Sequence, residues 1–168
     1  MKTILKTRIR ASVCIFACIA ISFTYTFKPF FKGIIIDGDS MVPTYVDKEW
    51  VLTHKRSYLG RDWIPDRGDI VVVLLADENM CKRVIGLPGD TINIKDGRVY
   101  INNSKAPDGY AFGKITFTYE TRPGESVENI LETTIIVPKG YIWAIGDNRQ
   151  ESWYGVIPLN NVIGRAVW

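Results

Sequence analysis

After Gly33 the chain alternates short apolar runs with turn residues, and no stretch sustains the 3.6-residue spacing of an amphipathic helix. The runs Gly33–Asp37, Glu49–Thr53, Asp69–Leu75, Lys82–Ile85, Thr91–Lys95, Arg98–Ile101, Ile115–Tyr119, Thr133–Val137, Tyr141–Ile145 and Val162–Trp168 read as strands. Between them stand Asp-Gly, Pro-Gly, Lys-Gly and Asn-Asn pairs, and Asp96-Gly97, set between two alternating runs, predicts a hairpin turn. The pattern predicts an all-β fold of antiparallel sheets forming a distorted, barrel-like domain over residues 33–95 and 138–168. The more polar stretch 96–137, which contains Gly and Pro, predicts a small inserted subdomain.

The pattern before Gly33 is different. Ala11 to Phe27 is a 17-residue run without a charge, about 25 Å long as a helix and at the short end of what spans a bilayer. Lys2, Lys6, Arg8 and Arg10 precede it with no acidic residue among them. Such a flank keeps the N-terminus in the cytoplasm and sends the rest to the outer side of the membrane. The expectation is a cytoplasmic basic segment over 1–10 and one transmembrane helix over 11–28, in a single-pass membrane protein. A removable signal peptide has the same basic and apolar parts but ends in a small-x-small cleavage site. Here the run ends among bulky aromatic residues, Tyr25, Phe27, Phe30 and Phe31, which suit a membrane interface and favour the uncleaved anchor.

Composition narrows the chemistry. The chain has 168 residues and a net charge of +3, with no basic stripe after residue 32, so no nucleic-acid partner is expected. Two of its three cysteines, Cys14 and Cys18, lie in the apolar run, and His54 is the only histidine. No metal site and no cofactor are expected from that inventory.

Ser40 follows an apolar strand within Asp37-Gly38-Asp39-Ser40-Met41-Val42-Pro43-Thr44. A serine at a strand end between Gly and Pro can sit on a tight turn whose backbone N–H groups hold an oxyanion, although an ordinary turn serine has the same surroundings. A nucleophilic serine needs a base. His54 stands beside Lys55 and Arg56 and reads as a surface residue. Lys82 opens an apolar strand that closes in Leu87-Pro88-Gly89-Asp90, and burial there would lower its pKa toward neutrality. By alternation Lys82 and Val84 share one face and Arg83 the other.

Gly38-Asp39-Ser40-Met41-x-Pro43-Thr44, Arg67-Gly68-Asp69-Ile70-Val71, Lys82-Arg83-Val84-Ile85-Gly86-x-Pro88-Gly89-Asp90 and Gly146-Asp147-Asn148-Arg149-x-x-Ser152 resemble, in order and spacing, the signature boxes of bacterial signal peptidase I. The resemblance implies a serine endopeptidase that removes signal peptides, with Ser40 as nucleophile, Lys82 as general base and the Ser40 N–H in the oxyanion hole. Some members carry at the position of Gly38 a serine that also serves the oxyanion. Ser152 matches a serine that orients the lysine, with Asp147, Asn148 and Arg149 as its support. The last box departs from the family, because Trp153-Tyr154-Gly155 follows Ser152 where Asp-Ser-Arg is common; Arg83 and Arg149 are then expected to find other partners such as Asp147.

The same resemblance implies a place in the bacterial cytoplasmic (inner) membrane, with the catalytic domain outside. It also implies preprotein signal peptides as partners, bound as an added strand, with Ile36 and Cys81 as pocket walls. Only 12 residues separate Phe27 from Ser40, at most about 45 Å of chain, which keeps the nucleophile near the lipid bilayer. Other readings are a dedicated pilin- or conjugation-type processing peptidase, a self-cleaving Ser-Lys repressor-type protease, and a tethered β-rich binding module.

Overall fold

The computed structural model describes residues 13–22, 26, 30–60, 62–115 and 132–167. Among them are eleven strands: β1 (Phe31–Ile35), β2 (Trp50–Lys55), β3 (Ile70–Leu75), β4 (Glu78–Gly86), β5 (Thr91–Lys95), β6 (Arg98–Ile101), β7 (Ser104–Lys105), β8 (Glu132–Ile136), β9 (Tyr141–Ile145), β10 (Tyr154–Pro158) and β11 (Val162–Val167). They form a seven-stranded sheet in the order β1-β2-β11-β3-β4-β9-β10 and a four-stranded sheet in the order β7-β6-β5-β8. Every pairing between these strands is antiparallel. The protein is therefore mostly antiparallel β, with little helix.

The expected barrel does not close among the described residues. The large sheet is open, with β1 and β10 at its two edges. β9 reaches only the second half of β4, pairing at Arg83, Val84 and Gly86, so among the described residues Glu78–Lys82 has β3 on one side and no strand on the other. Instead of sealing, the β1 edge and this free half of β4 flank a groove. The small sheet begins at Thr91, so β5, which the hydrophobic pattern assigns to the principal domain, pairs instead with β6 and β8.

Residues 13–22 are helical, and no helix among the described residues is long and apolar enough to cross a membrane. The basic segment 1–10 and the ends of the anchor expected over 11–28 lie outside the described residues, as do residues 116–119 of the expected strand Ile115–Tyr119.

Three apolar clusters hold the sheets. Ile85, Trp143, Ile145 and Tyr154 of the large sheet meet Ile92, Ile94, Val99 and Ile101 of the small one in a buried core. Val71, Val73, Val84, Ile142, Ala144, Ile157 and Val162 form a second core within the large sheet. The third, Ile36, Met41, Tyr45, Val51 and Ile70, lies around the turn that carries Ser40. Burying one such side chain contributes roughly 1.5–3 kcal/mol, so the Ser40 turn is anchored by packing as well as by hydrogen bonds. β11 lies between β2 and β3, so within the sheet the β1–β2 hairpin is hydrogen-bonded to the β3–β4 hairpin through that strand.

Candidate active site

Pairing continues one residue past β1, where the Ile36 N–H donates to Glu49 O and the Lys48 N–H to Ile36 O, both at 2.9 Å. The chain then turns through Gly38 at φ +85°, a left-handed conformation that favours glycine. The Gly38 N–H donates to the Asp47 carboxylate at 2.8 Å, so that amide is already committed and does not face an oxyanion. Val42 N–H to Asp39 O (3.2 Å) and Tyr45 N–H to Met41 O (3.0 Å) close the turn around Ser40.

The Ser40 carbonyl accepts the Asn148 N–H at 3.1 Å, and the Asn148 side-chain amide donates to Asp39 O at 3.2 Å. The segment 146–148 thus holds the turn from behind. Gly146 is required for this approach, because a Cβ there would collide with the Ser40 carbonyl oxygen and with Ser152 Oγ.

Lys82 enters from β4, opposite Val71 of β3. Its Nζ hydrogen-bonds Ser40 Oγ at 3.0 Å, and the residue is only 4% exposed. Burial pulls its pKa down to about 8, against the smaller opposing pull of Cys81 and Asp147. With its pKa at about 8, roughly a tenth of the amine is neutral at pH 7 and about half at pH 8, the form a lysine base needs. Burial also pushes the Cys81 thiol up to about 11, against the smaller opposing pull of Lys82.

Arg83, on the opposite face, makes a two-pronged contact with Asp147 at 2.8 and 2.6 Å. It also donates to Gly68 O (2.8 Å) and Thr44 Oγ1 (3.2 Å), and its guanidinium lies 4.1 Å from the Tyr110 ring. Asp147 is fully buried and accepts the Thr44 hydroxyl at 2.5 Å. This network ties the Ser40 turn, β4 and the 146–148 segment together.

Each residue singled out in the sequence has a definite place. Ile36 and Cys81 line a groove of about 470 Å³ with Ser40, Met41, Met80 and Lys82. Ser152 is buried but makes no hydrogen bond to Lys82; it accepts the Gly146 N–H at 2.6 Å and donates to Trp153 O at 2.8 Å. Its hydroxyl positions the backbone behind Ser40, not the lysine. Asp147 does partner Arg83, whereas Arg149 turns to Asp108 at 3.4 Å. Thr44, Tyr110 and Asp108 carry no role readable from sequence: Thr44 stands inside the serine motif without a marked function, and Tyr110 and Asp108 lie in a segment with no pattern to mark them.

The sequence profile of the family described as signal peptidase, peptidase S26, matches residues 5–168. The chain is 32% identical over 152 residues to a signal peptidase I of Bacillus caldolyticus, across 81% of this chain and 77% of that protein. It is 34% identical over 147 residues to a signal peptidase I of Bacillus licheniformis, across 81% and 74% of the two chains. Against signal peptidase I S of Bacillus subtilis (strain 168) identity is 34% over 125 residues, across 73% of this chain and 64% of the relative. A match over nearly the whole chain, together with relatives at this identity, makes the protein a member of the signal peptidase family, peptidase S26.

Proposed function

We propose that this chain is a signal peptidase I-type serine endopeptidase that removes signal peptides from exported preproteins with a Ser40–Lys82 dyad. The observation that carries the reading is a nearly buried lysine amine 3.0 Å from a serine hydroxyl on a braced turn. Neutral Lys82 takes the Ser40 proton as Oγ attacks the scissile carbonyl carbon. The Ser40 N–H, which donates to no group among the described residues, is free to stabilise the oxyanion. Lys82 then returns the proton to the leaving amine, and water, deprotonated by the same lysine, hydrolyses the acyl-enzyme.

The groove supports the substrate class. An extended peptide laid between β1 and Glu78–Lys82 can pair with free backbone groups on both sides, and its alternate side chains face the groove walls. Ile36 and Cys81 narrow those walls and favour small side chains near the scissile bond. Ile35 and Trp50, opposite each other across β1 and β2, are 65% and 62% exposed. Together with the apolar N-terminal run they support placement at the outer face of a membrane, where signal peptides emerge.

Detergent-solubilised chain should cut a preprotein after the second Ala of an Ala-x-Ala site and leave a Leu-x-Leu version intact, read by mass spectrometry of the products. Folded Ser40→Ala protein, purified in parallel, should cut neither. Equal cleavage of both substrates would defeat the small-pocket reading, and cleavage by Ser40→Ala would defeat the assigned nucleophile.

A further inference from the structure

One residue beyond Asn148, Arg149 lines a second cavity of about 290 Å³, apart from the groove, with Arg98, Lys105, Asp108 and the backbone of Gly97 and Gly113. That volume is several times the share of a single water, roughly 30 Å³. The Arg149 side chain is 4% exposed, and its ion pair from Nη2 to Asp108 is long at 3.4 Å. Its Nε and Nη1 are buried with no hydrogen-bond partner. A buried guanidinium with two unused donors is costly unless something accepts from it. The cavity walls carry three cationic side chains against one carboxylate, and a planar guanidinium fork matches the paired oxygens of an oxyanion.

We propose that this cavity binds a phosphate-type oxyanion, gripped by Arg149 and flanked by Arg98 and Lys105. The site communicates with the dyad by a short route. Phe112 N–H donates to Asp147 O and Arg149 N–H to Phe112 O, each at 2.8 Å, so an anion on Arg149 steadies the segment whose Asn148 N–H holds the Ser40 carbonyl. Free phosphate and a phospholipid headgroup share the required chemistry.

The test is calorimetric titration of the full chain in detergent with inorganic phosphate at constant ionic strength, and flotation with vesicles of phosphatidylcholine containing phosphatidylglycerol. The variants are Arg149→Lys and the exposed pair Arg98→Gln/Lys105→Gln, with Lys95→Gln/Lys139→Gln as a charge-matched control on other exposed lysines. Saturable phosphate binding, weakened at least about tenfold in the Arg98/Lys105 pair but not in the control, is the expected result and identifies a free anion as ligand. Vesicle binding with the same dependence and little phosphate binding identifies the lipid headgroup. Should Arg149→Lys fail to fold, the exposed pair decides alone. No saturable phosphate binding below about 10 mM together with vesicle binding that the two double variants weaken equally overturns the proposal, as does binding of either probe that the Arg98/Lys105 pair leaves unchanged.

Discussion

Replacing Lys82 with Met should abolish cleavage and at the same time raise the stability of the folded chain. The first effect follows from removing the base: loss of one member of such a catalytic unit costs on the order of 10⁴-fold in rate. The second follows from the cost of the buried charge. The lysine's pKa is about 8 in the fold against 10.5 for a free side chain, a difference worth ~3 kcal/mol at pH 7. Between about 8 and 10.5 the unfolded chain holds the proton and the native chain does not, so this group makes stability rise with pH across that window, and its penalty is fully present below it. The methionine variant should lack that rise and gain most at neutral or lower pH, read from denaturant unfolding in detergent at several pH values. Wild-type kcat/KM should climb toward pH 8 and then level. A methionine variant that still cuts, or that is no more stable than wild type at pH 7, would refute this role for Lys82.

Asp147→Asn should be the most destabilising single change at the site. It leaves Arg83, with a side chain only 12% exposed, facing a neutral amide in place of a buried carboxylate. Breaking one side of a buried pair typically costs about 3–5 kcal/mol, which for a chain of this size lowers Tm by about 10 °C. Arg83→Met together with Asp147→Asn should recover part of the loss, because no uncompensated cation then remains, and the shortfall from additivity measures the coupling. Cleavage should fall in the single variant too, since Asn148, which holds the Ser40 carbonyl, is the next residue. A Tm within a degree of wild type would show that Thr44 and Gly68 alone satisfy the arginine.

The sequence disclosed the parts of this protein that rest on short-range pattern. β5, β6 and β9 occupy the spans their alternation predicts, and Asp96-Gly97 turns with both residues at positive φ, as a two-residue hairpin requires. The first half of β4 is not legible because its turn is made by Ala76 and Asp77, at φ 48° and 65°, without the glycine that normally signals such a conformation. β10 escapes the pattern because Gly155 and Pro158 interrupt a run of only five residues. At the site, Ser40 and Lys82 each stand in a recognisable local string. The contact between Arg83 and Asp147 spans 64 positions; the resemblance names both partners, but no local pattern sets the two-pronged geometry. Ser152 is legible as a site residue but not in its role, because whether a hydroxyl faces an amine or a backbone amide depends on how 146–152 loops back.

β11 also bears on how the sheet is assembled as the chain is made. Ser40 belongs to the β1–β2 hairpin and Lys82 to the β3–β4 hairpin, and in the sheet the two hairpins are bridged by residues Val162–Val167. A nascent chain that has emerged with Ser40 and Lys82 but not yet with this strand therefore lacks the strand pairing that sets β2 beside β3 in the sheet. Pairing of Val162–Val167 with both β2 and β3 is therefore a condition for the complete seven-stranded sheet.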